Sequence, residues 1–350
     1  MTVTTPAWGA TSATTPLAPL PIERRTVGPT DVRIRIEYCG ICHSDVHTVR
    51  DEWHGTVYPC VPGHEIVGVV AEVGSEVTRY EAGDRVGVGC LVDSCGACES
   101  CAEGLENYCT RGATGTYNSV DKHGAAPRTY GGYSAEIVIT ERFVVRIPDG
   151  LDPASAAPLL CAGITTYSPL RHHRVGPGTM VGVVGFGGLG GMAVKLAKAM
   201  GAEVTVITRS DSKAEQIRAA GADHLVVSAD KAAMKAATGS QDVVLSTIPT
   251  AHAAGPYLAL LKRDGAYVVL GALEPLTDLI DGRQLIGRRV QITGSMIGGM
   301  PETQELLDFC AEHKIVSDVQ VIGVDGINAA YDHIAAGDPG FRYVIDLSTI

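Results

Sequence analysis

Cys95, Cys98, Cys101 and Cys109 follow one another as C-x2-C-x2-C-x7-C. Thiolates this closely spaced can close a tetrahedral sulfur shell around one metal ion with a single loop. The residues around them are mostly Gly, Ala, Glu, Ser and Asn, so metal binding would supply the stability that no core supplies there. The plain alternative is four unrelated thiols, but free cysteines are usually scattered and buried. An iron–sulfur cluster of the bacterial type places its fourth cysteine closer and follows it with proline. Here the gap is x7 and Thr110 follows. The spacing therefore predicts a structural zinc lobe over residues 90–112.

A second group of soft donors is dispersed. Cys42 stands in Cys39-Gly-Ile-Cys-His-Ser-Asp-Val-His47, His64 in Pro62-Gly-His-Glu65, and Cys161 in Pro158-Leu-Leu-Cys-Ala-Gly163. Separately they read as a buried Cys, a core His and a Cys in an Ala-rich helix. They lie 22 and 97 residues apart, so spacing alone does not join them. If they met, three protein ligands and one open position would make a catalytic zinc site.

Gly185, Phe186, Gly187, Gly188, Leu189 and Gly190 match G-x-G-x-x-G. In a chain with 42 glycines the pattern alone means little. Its context gives it meaning: Val181–Val184 reads as a strand before it, Leu189, Met192, Ala193, Leu196, Ala199 and Met200 recur at helical spacing after it, and Val204–Ile207 reads as the next strand. That unit places backbone N–H groups against a pyrophosphate at a helix N-terminus. An NAD enzyme usually ends its second strand on Asp or Glu to hold the ribose 2′-hydroxyl. Here Thr208, Arg209, Ser210 and Lys213 stand there, a set suited to a 2′-phosphate and hence to NADP(H). Asp211 is the discordant residue and is expected to point away. Ser212 and Glu215 also read as a capping box for the next helix, and the two readings are compatible.

Around these residues, the pattern from Val32 to Ile147 is of short strands broken by Gly, as in Val32–Ile36, Ile66–Val70 and Ala135–Ile139. The character changes near Pro153. Segment 154–170 is Ala-rich and reads as helix, after which strands and helices alternate through Leu225–Val227, Val243–Leu245 and Ala266–Leu270. Such alternation indicates a doubly wound parallel sheet. Residues 1–30, rich in Thr, Ala and Pro, are expected to form a loose arm. At 350 residues and 45% hydrophobic content the chain can fill two cores. A net charge of −11 without a basic stripe argues against nucleic acid and against anionic membranes. No secretory signal pattern opens the chain, and no apolar run approaches the ~20 residues that cross a bilayer. A cytoplasmic protein is expected, in which ten cysteines read as ligands or thiols before disulfides.

The Cys39–His47 motif, Gly-His-Glu, the four-cysteine lobe and Pro-Leu-Leu-Cys-Ala-Gly occur in this order, and together the chain resembles the zinc-containing medium-chain dehydrogenases. Gly294-Ser-Met-Ile-Gly-Gly299 and the Glu302–His313 segment are similar to the cinnamyl alcohol dehydrogenase branch, especially its bacterial broad-range NADPH aldehyde reductases. The resemblance implies that Cys42, His64 and Cys161 bind catalytic zinc, with Glu65 behind it and able to enter the shell. It implies that Asp45 orients His64, although a turn Asp capping its own backbone is the plainer reading. Ser44 and His47 would carry the proton, a task suited to an imidazole. His43 would face the pyrophosphate, or simply lie at the surface. Trp53 would wall the substrate pocket, or be a core Trp. Thr247, Gly271, Ser295, Met296 and Ile297 would line the nicotinamide.

The expected fold is α/β. A GroES-like β-rich catalytic domain takes residues 1–154, a Rossmann doubly wound NADP-binding domain takes 155–292, and 293–350 return to the first. The expected activity interconverts aromatic, allylic or medium-chain aliphatic aldehydes and primary alcohols, using two zinc ions per chain, in a homodimer or homotetramer. The alternatives are a polyol or amino-alcohol dehydrogenase on the same scaffold and a catalytically dead nicotinamide sensor. Against the latter, Cys42, Ser44, His47, His64 and Cys161 are all present.

Overall fold

The computed structural model describes residues 2–123, 126–271, 274–337 and 340–350. The chain forms two compact units, Met1–Ile164 with Gly298–Ile350, and Thr165–Ile297.

The first unit is organised on strand Asp31–Gly40. Along it Val32, Ile34 and Ile36 are buried while Arg33 and Arg35 turn outward, the period of two that a half-buried strand requires. It pairs antiparallel with Ile66–Val73, with Glu136–Thr140 and with Arg342–Asp346. Seven strands make up the sheet, and the returning segment supplies two of them, Val319–Ile322 and Arg342–Asp346, parallel to each other. The core between and beneath them holds Val32, Ile34, Ile36, Ile66, Val86, Phe143 and Ile345.

The expectation of a loose N-terminal arm does not hold. Thr2–Thr5 pairs with Ile22–Arg25, and Trp8–Gly9 with Ala18–Pro19. Ala7, Ala10, Leu17 and Ile22 are buried, and the Leu17 N–H donates to Asn328 Oδ1 at 2.9 Å. Small apolar residues spaced among Thr and Pro carry no clear period, yet they give this arm a face to bury.

The second unit is a six-stranded parallel sheet in the order His224–Val227, Glu203–Thr208, Met180–Val184, Gln241–Ser246, Leu261–Val269, Gln291–Gly294. Strand Met180–Val184 lies between Glu203–Thr208 and Gln241–Ser246, so the winding reverses at its carboxyl end. In an open parallel sheet that is where ligands bind.

Two local expectations also change. Segment 154–170 is not one helix: a short helix Pro153–Ala156 and a 3-10 turn Ala157–Leu160 precede helix Ala162–His172. Pro158 removes a backbone donor there, and Cys161 falls at the break with φ −127° and ψ −72°. The capping box at Ser212 and Glu215 does not form. Helix Ala214–Ala219 begins after Lys213, and Ser212 Oγ bonds Ser210 Oγ at 2.9 Å instead.

Candidate active site

Strand Asp31–Gly40 leads directly to Cys42, whose extended backbone opens helix His43–Val49. Asp45, third in that helix, accepts the Cys42 N–H at 2.8 Å and so fixes the turn. The same carboxylate accepts the Gly63 N–H at 3.1 Å and stands 3.1 Å from His64 Nδ1. The Tyr133 hydroxyl donates to it at 3.5 Å, and Tyr331 donates to Tyr133 at 3.3 Å. Asp45 is fully buried, so the donors that reach it satisfy oxygens that water does not reach. With Nδ1 turned to Asp45, His64 presents Nε2 to Cys161.

His64 Nε2 lies 3.2 Å from Cys161 Sγ, and Cys42 Sγ lies 3.9 Å from Cys161 Sγ. A carboxylate oxygen of Glu65 completes a set whose donor atoms all lie within 4.8 Å of one another. Ligands around a tetrahedral zinc stand about 3.5–3.8 Å apart for the bond lengths zinc makes to nitrogen and sulfur. The observed 3.2 and 3.9 Å lie within a few tenths of an ångström of that range, and thiolate and imidazole are the donors zinc prefers. In the lobe, Cys95, Cys98, Cys101 and Cys109 form a second set within 4.8 Å, with Cys95 Sγ to Cys101 Sγ at 3.9 Å and Cys98 Sγ to Cys109 Sγ at 4.0 Å. Both sets fit zinc.

Burial and mutual hydrogen bonds couple the titratable groups of the first set. A hydrogen bond from Cys161 holds the Cys42 thiol well below its ordinary range, against burial and with help from Arg342 and His64. Cys161, sharing that proton, is held well above. Burial works to lower His64, but Asp45, Cys90 and Cys42 together hold it well above its ordinary value. Burial pushes the Glu65 carboxyl up to about 7, with Arg342 opposing and Cys42 adding to the rise. Glu65 Oε1 is paired with Arg342 Nη2, while Glu65 Oε2 is buried without a partner among the described residues. That orphaned lone pair is what a metal, or a proton, would satisfy.

Ser44 Oγ stands 3.6 Å from Cys42 Sγ on the first turn of the helix. One turn on, His47 stacks between His43, at 4.6 Å, and Trp53, at 5.2 Å. Its Nδ1 is held by Glu52, and its Nε2 is buried without a partner among the described residues. Trp53 is 44% exposed, which removes the reading of a core Trp.

In the second unit the glycine turn leaves strand Met180–Val184 and enters helix Gly188–Ala199. Gly185 has φ +93°, and a Cβ on it would meet Thr247 Oγ1 at 2.7 Å. Thr247 Oγ1 in turn donates to Val184 O at 2.8 Å, and a Cβ on Gly271 would lie 2.8 Å from Thr247 O. Gly185, Thr247 and Gly271 are thus brought together at the carboxyl ends of three adjacent strands. Thr208 ends the strand that flanks the turn, Arg209 and Ser210 are exposed beyond it, and Lys213 Nζ reaches Phe186 O at 3.4 Å. Ser295 N–H donates to Val269 O at 3.2 Å, Met296 is 52% exposed, and Ile297 takes φ +42°.

The sequence reading missed several neighbours of the first set. Arg342 lies 277 residues from Glu65, and nothing local marks it. Cys90, beside Cys161, and Tyr117, whose ring is 5.6 Å from that of His64, are also far from their partners in sequence. Glu52 had a detectable signal, a carboxylate five residues after His47 across a helix end.

Comparison with known proteins agrees with this geometry. Residues 28–149 match the alcohol dehydrogenase GroES-like domain, and residues 188–312 match the zinc-binding dehydrogenase family. The chain belongs to the zinc-binding medium-chain alcohol dehydrogenases, in their cinnamyl alcohol dehydrogenase branch. It is 53% identical over 348 residues to NADP-dependent alcohol dehydrogenase C 1 of Mycolicibacterium smegmatis, covering 99% of each chain. It is 54% identical over 347 residues to the aldehyde reductase YahK of Escherichia coli, covering 98% of each. Its structure is similar to that of a CAD of Helicobacter pylori complexed with NADP(H), with a TM-score of 0.92, 41% identity and 99% of each chain covered. The fold expected from the motifs, a GroES-like domain with a Rossmann domain, is the fold of this family. No helix among the described residues is long and apolar enough to cross a membrane.

Proposed function

We propose that the chain reduces apolar aldehydes (aromatic, allylic or medium-chain aliphatic) to primary alcohols, and catalyses the reverse reaction, with NADP(H) as hydride carrier. The observation that carries this reading is the convergence of Cys42, His64, Glu65 and Cys161 within 4.8 Å from segments far apart in sequence. Two zinc ions bind per chain. Cys42, His64 and Cys161 hold the catalytic ion, with Glu65 behind it, and Cys95, Cys98, Cys101 and Cys109 hold the structural one. When bound, the catalytic zinc supplies Lewis acidity toward the substrate oxygen and the nicotinamide supplies or accepts hydride.

The remaining work falls to side chains. Asp45 keeps the His64 ring turned so that Nε2 faces the donor set. Ser44 Oγ passes a proton to or from the substrate oxygen, and His47 exchanges it at Nε2 while Glu52 holds Nδ1. The glycine turn Gly185–Gly190 cradles the pyrophosphate at the start of a 12-residue helix, and His43 is a further residue assigned to that group. Thr208, Arg209, Ser210 and Lys213 bind the 2′-phosphate, a reading supported by the names NADP-dependent alcohol dehydrogenase and CAD complexed with NADP(H) among the relatives. Thr247, Gly271, Ser295, Met296 and Ile297 line the nicotinamide. Trp53, Met296 and Ile297, the residues assigned to the substrate, carry no charge to hold a polyol or an amino acid, so scope is broad.

The catalytic unit is assigned residues 1–154 with 293–350 and the coenzyme unit 155–292, beside compact units of Met1–Ile164 with Gly298–Ile350 and of Thr165–Ile297. A homodimer or homotetramer is the expected assembly: Gln291–Gly294 is an edge strand, and Leu279 and Ile286 before it are 99% and 83% exposed. A cytoplasmic setting suits ten unpaired cysteines, six of them in the two donor sets. The test is kcat/KM, followed by NADPH absorbance, for benzaldehyde, cinnamaldehyde and hexanal against glucose, sorbitol and threonine. The apolar aldehydes should all be reduced. A sugar, polyol or threonine that outperforms every one of them overturns the substrate assignment.

A further inference from the structure

The turn that closes the four-cysteine lobe rests on the N-terminus of helix Met300–His313. Glu106 is 8% exposed, and its Oε2 accepts the Met300 N–H at 2.9 Å across 194 residues of sequence. The helix has no cap of its own, because Gly299 stands at that position. A carboxylate at this end satisfies one of the orphaned backbone donors and complements the helix dipole. Two glycines make the approach possible. A Cβ on Gly299 would run into the Gly104 carbonyl oxygen, and one on Gly104, at φ +74°, would lie 2.7 Å from Pro301 Cγ.

Three residues before the helix, Ile297 takes φ +42°, a conformation a β-branched residue adopts only when its surroundings hold it. On one side Ser295 is tied to Val269 O at 3.2 Å. On the other, Gly298 packs so closely on Ile164 that a Cβ would lie 2.6 Å from its Cδ1, and the capped helix follows.

We propose that Glu106 makes the four-cysteine lobe a latch on the segment Ser295–Ile297, so that an intact lobe raises affinity for NADPH. This rests on the reading that Ser295, Met296 and Ile297 line the nicotinamide. Glu106 is a positioning residue: it touches neither coenzyme nor substrate. Because coupling between two binding events is reciprocal, NADPH must also protect the lobe.

The experiment uses the purified, metal-loaded enzyme. NADPH affinity is measured by calorimetry for wild type, Glu106→Ala and Glu106→Gln. Alkylation of Cys95, Cys98, Cys101 and Cys109 under a chelator is followed by peptide mass spectrometry with and without NADPH. Losing a helix cap of ordinary strength should raise the NADPH Kd of Glu106→Ala roughly 5- to 10-fold, with kcat at saturating coenzyme little changed. Glu106→Gln keeps an acceptor and loses the charge, so it should shift Kd about 2- to 3-fold and keeps the test open if the Ala variant does not fold. NADPH should slow lobe alkylation in wild type and not in Glu106→Ala. Asp152→Ala, which removes the cap of helix Pro153–Ala156, is the control for general loosening. An unchanged Kd in both Glu106 variants overturns the latch, and so does an equal shift in Asp152→Ala. Met296→Ala and Ile297→Ala separate the two readings. If they leave Kd unchanged, the nicotinamide assignment itself is wrong. If they raise it while the Glu106 variants do not, only the latch fails.

Discussion

Asp45→Asn should loosen the catalytic metal set without unfolding the chain. Oδ1 of Asp45 stands 3.1 Å from both the Gly63 N and His64 Nδ1, and Oδ2 takes the Cys42 N–H at 2.8 Å and the Tyr133 hydroxyl at 3.5 Å. A carboxamide has one oxygen for these two sides. With its oxygen toward His64, its NH2 faces the Cys42 N–H, leaving a buried donor unmet at about 1–3 kcal/mol, and the bond to His64 loses the charge assistance worth about 1 kcal/mol. With the amide reversed, His64 Nδ1 loses its acceptor and the tautomer that presents Nε2 is no longer selected. Either way the stability loss is about 2–4 kcal/mol, which at ~2–4 °C per kcal/mol for a unit of this size lowers Tm by roughly 4–16 °C. Loss of such a carboxylate behind a ligating histidine weakens metal binding about 10- to 100-fold. Zinc transfer to a chromogenic chelator, with thermal melting of the same samples, measures both. A variant that kept its catalytic metal within twofold of wild-type affinity and turned over normally would refute the role given to Asp45.

The remaining predictions concern the other parts of the site. Cys98→Ser should lower Tm and metal content with residual turnover per folded molecule, whereas Cys42→Ser should remove turnover and leave the lobe metal in place; metal analysis finding about one zinc in the wild type would count against two sites. Arg209→Ala should weaken NADPH by roughly 10- to 100-fold in kcat/KM and spare NADH, since one charge-assisted contact to the 2′-phosphate is lost; equal use of both coenzymes by the wild type would contradict this. His47→Gln should slow turnover about 10-fold or more, most at low buffer concentration, where solvent substitutes least; an unchanged rate at every pH would exclude His47 from the relay. In the metal-free protein burial pushes the Glu65 carboxyl up to about 7, above its ordinary 4.5. The folded state then holds this proton more tightly than the unfolded one. Its contribution is complete below the ordinary value and is lost as pH rises through about 7. Glu65→Gln should flatten that part of the Tm–pH curve, and parallel curves for the two proteins would show the assignment to be wrong.

Some of this protein was decided within short stretches of chain. The lobe is one, because its four thiols lie within fifteen residues, and a loop that short can bring them together without help from the rest of the fold. The glycine turn is another: its glycines matter for backbone dihedrals and close approach, which are local, and the flanking periodicities of strand and helix confirm it. The choice of Thr208 and Arg209 at the strand end is read in the same way. The catalytic set is different. Its members are separated by 22 and 97 residues, and only the pairing of strand Asp31–Gly40 with Ile66–Val73, together with the break in the helix at Cys161, brings Cys42, His64 and Cys161 to one point. A resemblance could name them, but no spacing could. Arg342 reaches Glu65 because the C-terminal strand pairs with Tyr38–Gly40, and the N-terminal arm is ordered because a core exists to receive Ala7, Ala10 and Leu17. Contacts of this kind depend on which surfaces the sheet places opposite one another, and that is a property of the folded chain and of no segment within it.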